Sequence, residues 1–265
     1  MLGFPETFLA WVGATLLPAL AGLAIVVGAG HFAKGRYLAA FGFGIFLWFF
    51  VDTIGGAADM DVNAGFGGGV QQVAIVVLFA LGLVFLFAMD RTAFLPDSET
   101  AAAGLTIPLL VAVALSIHGF GEGTSFGNTA ATTASSSLLD AFGGLAAGAA
   151  YVLHKALEPM MIGACYVVYA KGRECTAVSV LKDVLLLGLV FTIPSIVGAV
   201  TGYFISYDST YFFALGTGTS VYAALRLAKP LYLGDSTSSP NESLNTAIWL
   251  LFGFLCIYSA ALLHS

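Results

Sequence analysis

Hydrophobic residues along the chain fall into eight long stretches separated by short polar segments. A helix needs about 20 apolar residues to cross the hydrocarbon core of a bilayer, and each stretch comes close to that length or exceeds it. The pattern therefore predicts an all-α, polytopic membrane protein that forms one transmembrane domain over residues 1–265. The eight predicted spans lie at about 8–29, 38–58, 69–89, 102–126, 142–170, 184–206, 210–228 and 244–263.

Composition agrees with a protein embedded in a lipid bilayer. The chain is 59% hydrophobic and only 9% charged, whereas a soluble domain carries about 25% charged residues. No basic patch points to nucleic acid as a partner. The three cysteines, Cys165, Cys175 and Cys256, form no C-x-x-C pattern, so neither a disulfide nor a thiolate metal site is expected.

Basic residues are confined to alternate connections between the spans. The first, third, fifth and seventh connections hold eight of the nine: Lys34, Arg36, Arg91, Lys171, Arg173, Lys182, Arg226 and Lys229. The intervening connections carry acidic residues such as Asp59 and Asp208 and no lysine or arginine. Because lysine and arginine are enriched in cytoplasmic loops, the pattern predicts a multi-pass protein of the cell membrane with both termini outside.

Two His-x-x-x-Glu motifs lie inside neighbouring hydrophobic stretches: His118 with Glu122, and His154 with Glu158. A spacing of four residues places the two side chains of each motif on one helix face, one turn apart. An ionisable group inside a bilayer costs about 2.5–3.5 kcal/mol on insertion scales. Four such groups in neighbouring helices therefore indicate a function that requires them.

The chemistry of these side chains fits a divalent metal ion. Consecutive spans joined by a short loop are expected to pack antiparallel, which brings the two motifs together near the midplane. Imidazole nitrogens and carboxylate oxygens bind Zn²⁺ at about 2.0–2.2 Å and also accept Fe²⁺ or Mn²⁺. A structural alternative is that each His and Glu bonds within its own helix or pairs with Lys155.

The motifs resemble those of the ZIP family of divalent metal transporters. That family carries a His-Asn-x-x-Glu-Gly type motif in its fourth span and a His-x-x-x-Glu type motif in its fifth. This chain has His118, Glu122 and Gly123 in the first motif and His154 and Glu158 in the second. The eight spans with outward termini also resemble the family, as does the small-residue segment 213–218 that is followed by a tyrosine at position 222.

The resemblance implies a bundle of the 3+2+3 type, in which two groups of three spans are related by an inverted repeat. It implies that the four motif residues line a transport site through which zinc, or iron, manganese or cadmium, passes toward the cytoplasm as substrate. Spans four and five would move against the rest of the bundle. A homodimer is what the family suggests, and neither an organic cofactor nor an enzymatic activity is expected.

The chain departs from the family at a second metal site that many members have. That site uses the residue after each motif histidine and a glutamate in span six, whereas this chain has Gly119, Lys155 and Ile193 at those positions. We therefore expect a single-metal site in which the Lys155 ammonium takes the place of the second metal beside Glu122 and Glu158. The alternative is that Lys155 reaches a membrane interface or pairs with another acid.

Several features allow two interpretations. Asp52 could complete the metal site or guide the ion to it, or it could cap local backbone or pair with Lys155. The polar segment 124–137 is either a mouth for hydrated ions or the end of span four and its loop. Gly144 and Gly148 form a G-x-x-x-G pattern that predicts close packing of span five against span four.

Two other classes of function compete with a transporter. An intramembrane metal-dependent hydrolase would need a general base beside an open metal position, and the chain has no H-E-x-x-H motif. A non-transporting membrane scaffold, or degenerate paralogue, would use the motifs only to pack helices. Stabilisation by metal would separate the scaffold from the other two classes.

Overall fold

The computed structural model describes residues 3–63, 70–91, 104–132, 137–170, 176–206, 209–232 and 240–262. These residues form helices joined by short turns and contain no strand. The helices are α1 (Phe4–Ala29), α2 (Gly35–Asn63), α3 (Val70–Arg91), α4 (Thr106–Thr132), α5 (Leu138–Ala141), α6 (Leu145–Ala170), α7 (Ala177–Phe204), α8 (Thr210–Tyr232) and α9 (Pro240–Leu262).

Five of the described helices are long and apolar enough to cross a membrane. They are α1, α3, α4, α7 and α9, in which the qualifying segments are Phe4–Ala29, Val73–Arg91, Thr106–Thr132, Ala177–Phe204 and Asn241–Leu262. Over the described residues the structure thus confirms an all-helical protein, with several helices suited to a membrane. Each of the eight predicted stretches corresponds to a long helix, while the number of membrane crossings remains a prediction.

The connection between the two motif helices contains an extra turn that the hydrophobic pattern did not predict. Ser137 and Asp140 form a capping box at the start of α5, in which each side chain accepts a hydrogen bond from the backbone of the other. Gly143 and Gly144 follow with positive φ angles of 81° and 106°, a conformation that glycine adopts without strain. The chain therefore reverses before α6 begins at Leu145.

The eight long helices of the described residues pack as two groups of four. The motif group consists of α1, α4, α6 and α7, and the flanking group consists of α2, α3, α8 and α9. The most extensive helix contacts lie within these groups, namely α4 with α7, α1 with α6, α2 with α9 and α3 with α8. Contacts between the groups run chiefly from α4 to α8 and from α6 to α2.

The pairing of helices has an internal symmetry. Exchanging α1 with α7, α2 with α8, α3 with α9 and α4 with α6 converts each of the extensive contacts into another contact that is present. The α4–α7 contact becomes α6–α1, and α2–α9 becomes α8–α3. The packing thus has the pattern expected when two sets of three helices flank a central pair.

Glycines bring the paired helices into backbone contact. A Cβ atom at Gly123 of α4 would overlap the carbonyl oxygen of Ser195 on α7, and one at Gly202 of α7 would overlap that of Thr124 on α4. Close approach of this kind is the usual mode of helix association in membranes, where small residues let backbones touch. Glycines of both helices therefore contribute to the close contact between α4 and α7.

The packing predicted for Gly144 and Gly148 is wrong. Gly144 lies in the turn before α6, and a Cβ atom built on it has no neighbour within 4 Å. At Gly148, a Cβ atom would be in ordinary contact with Phe142 at 3.5 Å, not with α4. Gly144 serves the turn, where its positive φ angle favours glycine, while Gly148 lies within α6.

Candidate metal centre

The two His-x-x-x-Glu motifs face each other across α4 and α6. His118 and Glu122 lie one turn apart on α4, with His118 Nε2 at 3.6 Å from Glu122 Oε1. His154 and Glu158 repeat this arrangement on α6, with 3.3 Å between His154 Nε2 and Glu158 Oε1. The two helices are joined at the site because His154 Nε2 is also 3.7 Å from Glu122 Oε1.

Lys155 completes the cluster from α6. Its side chain is fully buried, and the ammonium donates to Glu122 Oε2 and, at 2.6 Å, to Glu158 Oε2. The same nitrogen lies 5.8 Å from the ring centre of Tyr151 and 5.5 Å from that of Phe191, within the range of cation–π attraction. Lys155 thus lies beside both glutamates and is enclosed by the described helices.

The cluster is largely buried, and Glu122 and His154 are its partly exposed members. Glu158 is 0% exposed and His118 is 2% exposed. The side chain of Glu122 is 17% exposed and that of His154 is 11% exposed. With neutral histidines, two carboxylates and one ammonium leave a single negative charge in a region of low dielectric. Such a charge is costly unless a cation compensates it.

The donor atoms are arranged in a way that fits a metal ion. One ligand atom from each of His118, Glu122 and Glu158 lies within 4.8 Å of the others. Four donors around Zn²⁺ at about 2.0–2.2 Å would be about 3.3–3.6 Å apart in a tetrahedron. Three nitrogen–oxygen separations in the site, at 3.3, 3.6 and 3.7 Å, are close to that spacing, and His154 lies outside the group whose ligand atoms are all within 4.8 Å of one another.

An incompletely bonded oxygen points to the same conclusion. Glu158 Oε1 is buried and makes no hydrogen bond with any described residue. Its neighbour is His154 Nε2 at 3.3 Å, which does not form a well-oriented hydrogen bond. Buried polar atoms are nearly always satisfied, so an oxygen of this kind, beside imidazole nitrogens, is a site where a cation would be stabilised.

Aromatic side chains close one end of the cluster. Trp11 stacks on Phe126 with ring centres 4.1 Å apart and lies 4.8 Å from Tyr151, while Phe142 lies 4.9 Å from Phe126. Tyr151 is fixed by a 2.9 Å hydrogen bond with Thr15. On the opposite side, the site borders the apolar core that contains Leu115, Met161 and Ile162.

Two features that the sequence left open are only partly described. Asp52 belongs to α2, but its side chain lies outside the described residues. In the polar segment, Thr124 is buried and bonds to the Phe120 carbonyl, whereas Ser125 and Thr129 are exposed on α4. Residues 133–136 lie outside the described part, so the two interpretations of this segment both remain.

Sequence reasoning missed a second polar cluster between α3 and α8. Arg226 contacts the buried Asp90 carboxylate at 2.5 Å, and the Tyr222 hydroxyl donates to the same oxygen at 2.5 Å. Tyr169 of α6 donates to the Arg226 carbonyl at 3.0 Å. Arg226 was assigned only to a basic loop, and a pair separated by more than a hundred residues leaves no periodic signal.

Comparison with models of protein families finds no match to this chain, and comparison with curated proteins finds none either. The functional interpretation therefore depends on the cluster itself and on the arrangement of the helices around it.

Proposed function

We propose that this protein transports a divalent metal ion, most readily Zn²⁺, across a membrane toward the cytoplasm. The observation that carries the proposal is the buried cluster of His118, Glu122, His154 and Glu158, with Lys155 beside it, on two adjacent apolar helices. Intramembrane ionisable residues that face a bundle interior mark substrate pathways. Nitrogen–oxygen separations of 3.3 to 3.7 Å, close to those between ligands of one metal ion, favour a metal as the substrate.

We assign the site one metal ion per chain. The position that would hold a second ion is filled by the Lys155 ammonium, which contacts both glutamates. A second divalent cation in that place would meet a fixed positive charge in a low-dielectric region, which is strongly unfavourable. The chain in this respect would be a divergent relative of ZIP transporters, the family that its motifs resemble.

The orientation follows from the end of the bundle at which the basic residues gather. Lys34 pairs with Glu242 near the start of α9 at 2.7 Å, and Arg226 pairs with Asp90 at the end of α3. These contacts support a common location for the basic connections. By the preference of lysine and arginine for the cytoplasmic side, this end faces the cytoplasm and both termini face outward.

The helix contacts support a moving unit larger than the two motif helices. Backbone contact at glycines locks α4 to α7, and Gly22 of α1 meets the Ala156 carbonyl of α6 equally closely. Moving α4 and α6 alone would break both contacts. We therefore propose that the motif group moves as one body against the flanking group and carries the bound ion with it.

Metal uptake by purified protein in liposomes tests this function. We expect wild-type protein to take up ⁶⁵Zn²⁺ and to bind about one ion per chain when purified. Glu158→Ala should abolish both, whereas Glu242→Ala, the same change at an exposed site, should retain both. Neither binding nor flux of zinc, iron, manganese or cadmium by the wild type would refute the proposal and leave the scaffold alternative.

A further inference from the structure

The two glutamates of the site each divide their oxygens between different partners. Lys155 donates to Oε2 of Glu122 and to Oε2 of Glu158. The histidines lie beside the other oxygens, with His118 Nε2 at 3.6 Å from Glu122 Oε1 and His154 Nε2 at 3.3 Å from Glu158 Oε1. Each carboxylate thus has one oxygen held by lysine and one oxygen facing the imidazoles.

We propose that Lys155 determines the metal specificity of the site by limiting each glutamate to a single oxygen ligand. The inference rests on the proposed transport function and concerns which ions the site accepts. With both Oε2 atoms held by lysine, the site can offer at most two imidazole nitrogens and two Oε1 atoms, which makes four donors. A site limited to four donors selects an ion that is stable with four ligands, and Zn²⁺ is the foremost example.

Ions that require more oxygen ligands are disfavoured for the same reason. Mn²⁺ prefers carboxylate-rich, octahedral coordination, and Ca²⁺ takes six to eight oxygens that include bidentate carboxylates. Either ion would have to recruit the Oε2 atoms of Glu122 and Glu158. Those atoms are bonded to an ammonium, which a divalent cation cannot displace without leaving a buried positive charge beside itself.

The lysine is held so that it cannot leave these oxygens. It is 0% exposed, and the ring centres of Tyr151 and Phe191 lie 5.8 and 5.5 Å from its ammonium nitrogen. A charged group enclosed in this way has no aqueous route by which to swing aside. Because its contacts fix both carboxylates, it also orients the Oε1 atoms, as residues behind metal ligands commonly do.

The test compares Zn²⁺ and Mn²⁺ on purified wild-type protein, Lys155→Met and Lys34→Met. Lys34 is an exposed lysine, so the second variant makes the same chemical change away from the site. Competition binding gives the ratio of Mn²⁺ to Zn²⁺ affinity, and X-ray absorption gives the number of ligands around bound zinc. We expect four nitrogen or oxygen ligands in the wild type, and a Mn²⁺ to Zn²⁺ ratio that rises about 10–100-fold in Lys155→Met only.

The outcomes separate this inference from the function on which it rests. Zinc held by bidentate carboxylates in the wild type, or an affinity ratio that does not change in Lys155→Met, would overturn the role of Lys155 while leaving transport intact. Failure of the wild type to bind either ion would overturn the proposed function itself. If Lys155→Met does not fold, the coordination of zinc in the wild type alone decides the matter.

Discussion

Two lysine–glutamate pairs in this protein have almost the same geometry and opposite surroundings. Lys155 Nζ lies 2.6 Å from Glu158 Oε2, and both side chains are 0% exposed. Lys34 Nζ lies 2.7 Å from Glu242 Oε1, with side chains 65% and 38% exposed. Replacing each lysine by methionine therefore makes a matched pair of perturbations, in which burial is the principal variable.

The expected loss of stability differs greatly between the two variants. Lys155→Met leaves two buried carboxylates without their cation, and removal of one partner from a buried pair costs about 3–5 kcal/mol. Methionine has a similar chain length, so a cavity adds little to that value. At Lys34, a hydrogen bond to Glu242 raises the pKa of the ammonium, but exposed pairs are screened by water and contribute little.

Unfolding by SDS titration in mixed micelles, with EDTA and with added zinc, measures both effects. Lys155→Met should lose about 3–5 kcal/mol in EDTA, and zinc should stabilise it more than it stabilises the wild type, because the ion supplies the missing positive charge. Lys34→Met should unfold like the wild type in both conditions. If the two variants prove equally stable without metal, the glutamates are not the buried, lysine-compensated charges that the structure shows.

Other predictions concern helix packing and the second polar cluster. Gly202→Ala should lower the free energy of unfolding by about 1–3 kcal/mol, because its methyl group meets the Thr124 carbonyl. Gly148→Ala has room for a Cβ atom and should be tolerated. Equal effects of the two variants in SDS titration would contradict the close α4–α7 contact. Asp90→Asn and Arg226→Met should each lower stability, and the double variant should lose less than the two losses combined, since the side chains form one ion pair. Additive losses would show that the pair is not coupled.

The candidate site could be predicted from the sequence because its signals are local. A four-residue spacing puts His118 with Glu122 and His154 with Glu158 on their respective helix faces, and a short connection makes the two helices neighbours. Polar residues inside apolar stretches stand out by composition alone. The structure then brings all four side chains and Lys155 together, as the spacing indicates.

The contacts between distant helices could not be predicted in the same way. Gly123 and Gly127 of α4 have the same spacing as Gly144 and Gly148, yet only the first pair packs against another helix backbone. The difference lies in the partner, since Gly198 and Gly202 of α7 present a matching surface. Which of two similar patterns forms an interface depends on shape complementarity between segments far apart in the chain.

The charge of Lys155 also bears on the transport cycle that we propose. With neutral histidines, the empty site carries one negative charge, and a site loaded with one divalent ion carries one positive charge. The cost of moving a charge through a low-dielectric region depends on its magnitude and not on its sign, so the empty and loaded forms face similar barriers to reorientation.

In Lys155→Met the loaded site becomes neutral and the empty site carries two negative charges. In liposomes that contain this variant, we therefore expect the rate of net zinc uptake to fall more than the rate of zinc-for-zinc exchange, because only net uptake requires the empty site to return. An equal reduction of both rates would contradict this account of the lysine.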